Sequence, residues 1–245
     1  MSTQNSRLSE ARLVNAERSL RAAIQVWNHP GETLRRPRTF VTVSRQPGAG
    51  GISFSHQLAQ RLNDEGEGDW SAWDRELVEK VSAEHGIAKE IIETIPSRPH
   101  NWLDDFLQSF TVSPNSPDLV DRRAYKRVVM TIRALATAGH AVIVGRGGSF
   151  ITDGLPGAIH LRLVAPLEYR VKHTAERDGI SVMEAARRIV ETDRLRTEFY
   201  HHYWPSKVIS PETMTMTLNC AELSVEELVD CVVPLIRARE SNRPA

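Results

Sequence analysis

Phe40-Val41-Thr42-Val43-Ser44-Arg45-Gln46-Pro47-Gly48-Ala49-Gly50-Gly51 is the stretch that decides how this chain folds. Its first five residues form a β-branched, apolar run, the composition of a buried strand. Glycines then occupy positions 48, 50 and 51. From about Ser53 onward, Leu58, Ala59 and Leu62 recur at helical spacing. A strand, a glycine loop and a helix in that order make an anion nest, because backbone N–H groups at the helix N-terminus point outward at a phosphate. On the phosphate-loop pattern G-x-x-x-x-G-K-[ST], Gly50 takes the second glycine position and Gly51 stands where the lysine belongs. Arg45 falls on the first glycine, and Ser53 lies one place past the usual hydroxyl. Arg45 can supply the missing positive charge. A plain strand-to-helix turn is the other reading of the same residues.

Outward from that stretch, elements alternate. Trp70–Trp73 reads as a short strand ending at Asp74-Arg75-Glu76, and a helix follows through Leu77, Val78 and Val81. Residues 121–138 read as a helix stopped by Gly139. Ala141–Val144 is an apolar strand running into Gly145-Arg146-Gly147-Gly148, and Ala158–Leu163 is another. Helices are expected at about 166–177 and 181–198, a last strand at 213–218, and a closing helix after Ser224. Ser181 with Glu184, and Ser224 with Glu227, have capping-box spacing. Strands that are apolar throughout and alternate with helices imply a parallel sheet covered on both faces. The expected architecture is therefore three-layer α/β with five parallel strands, over residues 39–240. Residues 84–120, broken by Pro96, Pro99, Pro114 and Pro117, read as an inserted cap on the acceptor side. Residues 178–204 read as a helical lid. Residues 1–38 form an N-terminal extension. Within it Leu13, Ala16, Leu20, Ala23, Ile24 and Trp27 predict an amphipathic helix over 7–27, a candidate contact with the domain or with a second subunit.

The 245 residues, 40% of them hydrophobic, suffice for one sizeable core with a small appendage. Lys+Arg and Asp+Glu both number 31, so no global charge draws the chain to nucleic acid or to an acidic membrane. No stretch approaches the roughly 18 apolar residues of a membrane span. Met1–Glu10 is polar and lacks an apolar signal region. The expectation is a cytoplasmic protein. Two cysteines, Cys220 and Cys231, do not make a disulfide scaffold and read as small buried apolar groups. Trp70 and Trp73 read as core. His201 and His202 would point about 100° apart on a helix, a poor metal pair.

The loop at 42–51 resembles the opening of the cytidylate-kinase-like family, in which S-R-x-x-G-S-G-G replaces the ordinary phosphate loop. Trp73-Asp74-Arg75-Glu76-Leu77, Val142-Ile143-Val144-Gly145-Arg146-Gly147, and Leu218-Asn219 with Leu223–Glu227 resemble its later motifs in the same order. The resemblance covers roughly residues 39–238. It implies a P-loop fold of the nucleoside monophosphate kinase kind, with ATP and Mg²⁺. The implied reaction is phosphoryl transfer to a nucleoside monophosphate, CMP or dCMP by default. The donor phosphates would lie against Ser44, Arg45, Gly48, Ala49, Gly50, Gly51, Ile52 and Ser53, with Ser53 toward the metal. Asp74, Arg75, Arg146, Asp193 and Arg196 would hold the acceptor. Arg45 and Arg146, with Arg188, Arg194 and Arg196 on the lid, would supply positive charge to the transferring group, which is most of what phosphoryl transfer asks of a protein.

Three features depart from what an ordinary kinase site carries. Gly51 stands at the phosphate-loop lysine position, as the family's own variant loop implies, Gly147 stands where cytidylate kinases carry an aspartate, and no acidic residue ends the strand 141–144. Gly51 and Gly147 leave a second reading, a nucleotide-binding sensor without turnover, and the divergence of residues 84–120 from a recognisable acceptor domain leaves a third, a kinase for a different small acceptor such as a metabolite hydroxyl.

Overall fold

The computed structural model describes residues 38–83 and 119–241. The helix expected at 7–27 and nearly all of the cap expected at 84–120 lie outside them. The elements are β1 (Phe40–Arg45), α1 (Gly51–Asp64), β2 (Ser71–Trp73), α2 (Arg75–Ala83), α3 (Leu119–Ala138), β3 (Ala141–Val144), α4 (Gly148–Ile151), β4 (Ala158–Val164), α5 (Leu167–Asp178), α6 (Val182–Tyr203), a 3₁₀ turn (Pro211–Thr213), β5 (Met216–Asn219) and α7 (Val225–Ser241).

The five strands form one parallel sheet in the order β2-β3-β1-β4-β5. Val43 of β1 is in register with Val144 of β3 on one side and Leu161 of β4 on the other. All strands therefore end at one edge. The chain leaves β1 toward β2 and β3, and later crosses to β4 on the opposite side. Reversals of this kind open the crevice in which α/β sheets hold ligands.

Alternation along β1 divides the core. Val41 and Val43 join Val142, Val144, Ile159, Leu161 and Leu163 against Phe54, Leu58 and Leu62 of α1 and Leu228, Val229, Val232 and Ile236 of α7. Phe40 joins Trp73 and Ile143 against Val129, Ile132 and Leu135 of α3 and Phe150 and Ile151 of α4. Both faces are covered, which is why these strands carry few polar residues. Trp70 and Trp73 are buried as expected, and Trp70 stacks on His140 with ring centroids 5.0 Å apart.

Some boundaries move. α1 begins at Gly51 because Gly50, at φ 72°, turns the chain and its carbonyl accepts the Phe54 N–H at 3.0 Å. α6 continues to Tyr203, past the expected end at 198, because Phe199, Tyr200, Tyr203 and Trp204 pack on the α3–α4 side of the core. The last strand starts at Met216 because Pro211 first opens a 3₁₀ turn. One expected capping box is complete and the other half-made: Ser224 and Glu227 exchange bonds at 2.8 and 3.2 Å, whereas Ser181 Oγ accepts the Glu184 N–H at 3.2 Å but the Glu184 carboxylate turns to Arg188. The cysteines differ from expectation. Cys220 is buried, with its thiol pushed up to about 11 by that burial, but Cys231 is exposed on the outer side of α7. Among the described residues no helix is long and apolar enough to cross a membrane.

Candidate active site

The loop between β1 and α1 is tied to the end of β4 and to α5. Gln46 donates its N–H to the Leu163 carbonyl at 3.0 Å and accepts the Ala165 N–H on its Oε1 at 2.9 Å. Gly48 has φ 81°, and a Cβ there would stand 2.6 Å from the Arg170 carbonyl and 2.9 Å from Thr174 Oγ1. Only glycine allows that approach. Arg170, buried on α5, donates to the Ala165 carbonyl at 3.1 Å and to the Pro47 carbonyl at 3.4 Å, and pairs with Asp193 Oδ2 of α6 at 2.9 Å. One guanidinium thus joins the loop, the end of β4, and α5 with α6.

Arg45 explains the missing lysine. A Cβ on Gly51 would lie 2.9 Å from Arg45 Cγ, and one on Gly145 would lie 2.7 Å from Arg45 Cζ. The arginine stem runs through the space where a side chain at position 51 would begin, and its head rests on the loop after β3. Gly51 and Gly145 are small because Arg45 lies between them. Burial, then the proximity of Arg196, Arg146 and Arg75, push the Arg45 guanidinium down to about 10.

The other arginines come from separate elements. Arg196 of α6 donates to the Arg45 carbonyl at 2.8 Å, and burial lowers its pKa. Arg146 follows β3 in a left-handed conformation, φ 54°. Tyr125 Oη donates to its carbonyl at 3.0 Å, and Trp204 Nε1 donates to Tyr125 Oη at 3.2 Å. Burial holds the Tyr125 phenol well above its ordinary pKa, so it stays a donor. Burial and the neighbouring Arg75 push Arg146 down to about 10. Glu79 of α2 pairs with Arg146 through Oε1, and its Oε2 lies 3.4 Å from Arg75 Nε. Among the described residues no carboxylate forms an ion pair with Arg45 or Arg196.

Of the residues expected at the site, the structure gathers Arg45, Arg75, Arg146 and Arg196 beside the glycine loop. Ser44 is buried, and its Oγ accepts from Arg162 at 3.3 Å. Gly48, Ala49 and Gly50 form the loop. Gly51, Ile52 and Ser53 form the first turn of α1, with Ile52 and Ser53 exposed. Asp74 caps α2 by accepting the Leu77 N–H at 3.0 Å. Asp193 is engaged by Arg170. Arg188 and Arg194 are not brought into the cluster: Arg188 pairs with Glu184 at 3.0 Å and Arg194 with Glu191 at 2.7 Å, both exposed on α6. Their i,i+4 and i,i+3 spacing to those glutamates was the signal. Sequence reasoning missed Glu79, Tyr125, Arg170 and Tyr200. Tyr200 closes a small cleft with Thr42, Ser44, Gly145, Gly148 and Ser149. Nothing in the spacing of these residues announces a site, since each comes from a different element. At Gly147, φ 72°, a Cβ would stand 3.0 Å from Trp204 Nε1 and 3.1 Å from Tyr125 Oη, so the place of an aspartate is filled by an aromatic pair. Among the described residues no group of three or more His, Cys, Asp or Glu forms a metal cage.

Residues 40–222 match the family model described as the cytidylate kinase-like family. The chain belongs to that family. It is 29% identical over 164 residues to the cytidylate kinase of Methanopyrus kandleri, covering 62% of this chain and 79% of that protein. A stretch of 98 residues is 30% identical to a uronate isomerase of Corynebacterium glutamicum. That match covers 40% of this chain, which spans only 19% of the isomerase. An uncharacterized protein from Eubacterium ventriosum, of solved structure, superposes with a TM-score of 0.62 at 19% identity, over 82% of this chain and 99% of that one. This last likeness concerns the fold alone.

Proposed function

We propose that this protein transfers the γ-phosphoryl group of ATP to a small phosphate-bearing acceptor, with CMP and dCMP as the first acceptors to test. The observation that carries the reading is the convergence of Arg45, Arg75, Arg146 and Arg196 beside a glycine loop at the carboxyl edge of a parallel sheet. Arg45, Arg146 and Arg196 are desolvated there, with Arg75 at the exposed rim, and like charges held in that way carry a cost which an anion seated among them relieves.

The residues fit a triphosphate. Gly48 and Gly50 shape the loop so that the amides of the first turn of α1 face outward, and Arg45 brings charge to the lysine position from below. Arg196 reaches the same point from α6. Arg146 and Arg75 face the acceptor phosphate, for which a planar fork is suited. Mg²⁺ would be held through the Ser53 hydroxyl together with phosphate oxygens, and would supply neutralising charge to the transferring group. The residues of this chain then orient the two anions and screen their repulsion.

The test is titration of the purified full chain with a non-hydrolysable ATP analogue and Mg²⁺, then ADP release over a panel of nucleoside monophosphates and phosphorylated metabolites. Binding with CMP-dependent release supports the reading, and absence of binding ends it. Release with an acceptor other than CMP supports a second reading, favoured by the Tyr125–Trp204 pair that occupies the space beside Gly147. In either case Arg146→Lys is expected to raise the acceptor KM about tenfold, since a point charge replaces a bidentate fork. Unchanged acceptor kinetics in that variant would remove Arg146 from the site.

A further inference from the structure

Glu79 is a carboxylate set among guanidinium groups, and its geometry has a consequence for which acceptors can bind. Its two oxygens engage different arginines, Oε1 with Arg146 and Oε2 with Arg75. It spans the gap between the two groups that would face an acceptor phosphate. The contact is also replaceable. The Glu79 and Arg75 side chains are 40% and 68% exposed, so Glu79 can swing into water itself, and the charge it uncovers is that of Arg146, 18% exposed, which an incoming anion then neutralises. Arg146 differs: its Nε is buried with no hydrogen-bond partner among the described residues, so Glu79 leaves that guanidinium incompletely satisfied. We infer that Glu79 is an internal competitor for the acceptor anion, a specificity-determining residue that admits dianionic phosphate and turns away monoanions. This deepens the proposed phosphotransfer and rests on it.

The reasoning is one of charge. An acceptor that carries a carboxylate offers Arg146 and Arg75 a single negative charge, the same as Glu79 offers, and Glu79 is tethered at high local concentration. Such an acceptor gains nothing by exchange. A phosphate monoester carries close to two charges and three acceptor oxygens, and can bond both guanidinium forks at once. It displaces Glu79, which is then hydrated at the mouth of α2. The substrate class that follows is a phosphorylated acceptor. A hydroxy acid, recognised through its carboxylate, is excluded.

The experiment uses the full chain with its glycine loop saturated by a non-hydrolysable ATP analogue and Mg²⁺, so that added anions report on the acceptor side. Inorganic phosphate, sulfate and acetate are titrated by calorimetry into the parent protein, Glu79→Gln and Glu79→Asp. The parent is expected to bind phosphate and sulfate and to ignore acetate. Glu79→Gln, nearly isosteric and on a partly exposed helix face, is expected to bind phosphate about fivefold to tenfold more tightly and to acquire measurable acetate binding. Glu79→Asp keeps the charge but is one methylene too short to span both arginines, and should fall between the two. Equal or weaker phosphate binding in Glu79→Gln, with the ATP analogue still bound, overturns the inference and leaves the phosphotransfer reading intact. Failure of every protein to bind the ATP analogue removes that reading, and this inference with it.

Discussion

Arg45→Met is expected to weaken binding of a non-hydrolysable ATP analogue about a hundredfold while leaving the melting temperature unchanged or raised. The two halves of this result have separate causes. Removing one charged, oriented partner of a phosphate costs about 2–5 kcal/mol of binding where the site is desolvated, and Arg45 is the residue we propose to supply the charge of the absent lysine. Stability moves the other way. A buried guanidinium pushed down to about 10 destabilises the fold by about 3 kcal/mol at neutral pH. Because the folded pKa is depressed and the group is a base, that penalty is fully present below pH 10 and is relieved only as the pH rises above it. Methionine preserves the stem that packs between Gly51 and Gly145 and deletes the charge. Calorimetric titration and a thermal melt of the same two preparations check both halves. Undiminished analogue binding would remove Arg45 from the donor site. A melting temperature several degrees lower would make it a structural residue.

Arg45 also shows what a sequence pattern leaves out. A pattern compares positions along the chain, so it sets Gly51 against the phosphate-loop lysine and offers Arg45 as a source of charge without placing it in space. In three dimensions the arginine six residues earlier occupies the space, and Gly51 and Gly145 are the room made for it. The sheet was easier to read. Its central strands are buried on both faces, so Val142–Val144 is apolar whichever way each side chain points and β1 departs from that only at the buried Thr42; β4 alternates, with Ile159, Leu161 and Leu163 buried between His160 and Arg162, and glycines mark the strand ends. The far end of α6 was not legible. A charged stretch, Glu191 to Glu198, separates its first turns from Phe199, Tyr200, Tyr203 and Trp204, and only their packing against Tyr125 and Phe150 keeps the helix going. The candidate cluster was legible where it lies on the strand–loop–helix units, at Arg45, Arg75 and Arg146. It was not legible where partners meet across the fold. Nothing in periodicity links Glu79 to Arg146 or Arg170 to Asp193, since each pairing is made by tertiary structure between two separate helices or between a helix and a loop. Arg188 and Arg194 stand apart from the cluster for the opposite reason. They belong to an arginine-rich stretch that suggested a lid, but their glutamate neighbours one helical turn away bind them locally.

The Arg170–Asp193 pair yields the second large effect, and its asymmetry is what makes it informative. The Arg170 side chain is 9% exposed and that of Asp193 is 42% exposed. Asp193→Ala therefore leaves a buried guanidinium without its counter-charge, with carbonyls of Pro47 and Ala165 as its remaining partners. Stranding a buried charge in this way costs about 3 kcal/mol, which for a domain of this size lowers the melting temperature by roughly 10 °C. Arg170→Met retains the stem and strands only a carboxylate that water can reach, together with two carbonyl oxygens, and is expected to cost about 1–2 kcal/mol. The double variant should then be more stable than Asp193→Ala alone, because the stranded charge is gone, and the difference measures the coupling directly. Each of the three should also bind the ATP analogue more weakly, since Arg170 is what holds Pro47 and the approach of Gly48 against α5. Urea unfolding of the parent and the three variants tests the order. If Asp193→Ala proves milder than Arg170→Met, the guanidinium is hydrated in solution and the pair is an ordinary surface contact. If the order holds and nucleotide affinity falls with stability, α5, α6 and the glycine loop are one mechanical unit joined through a single arginine.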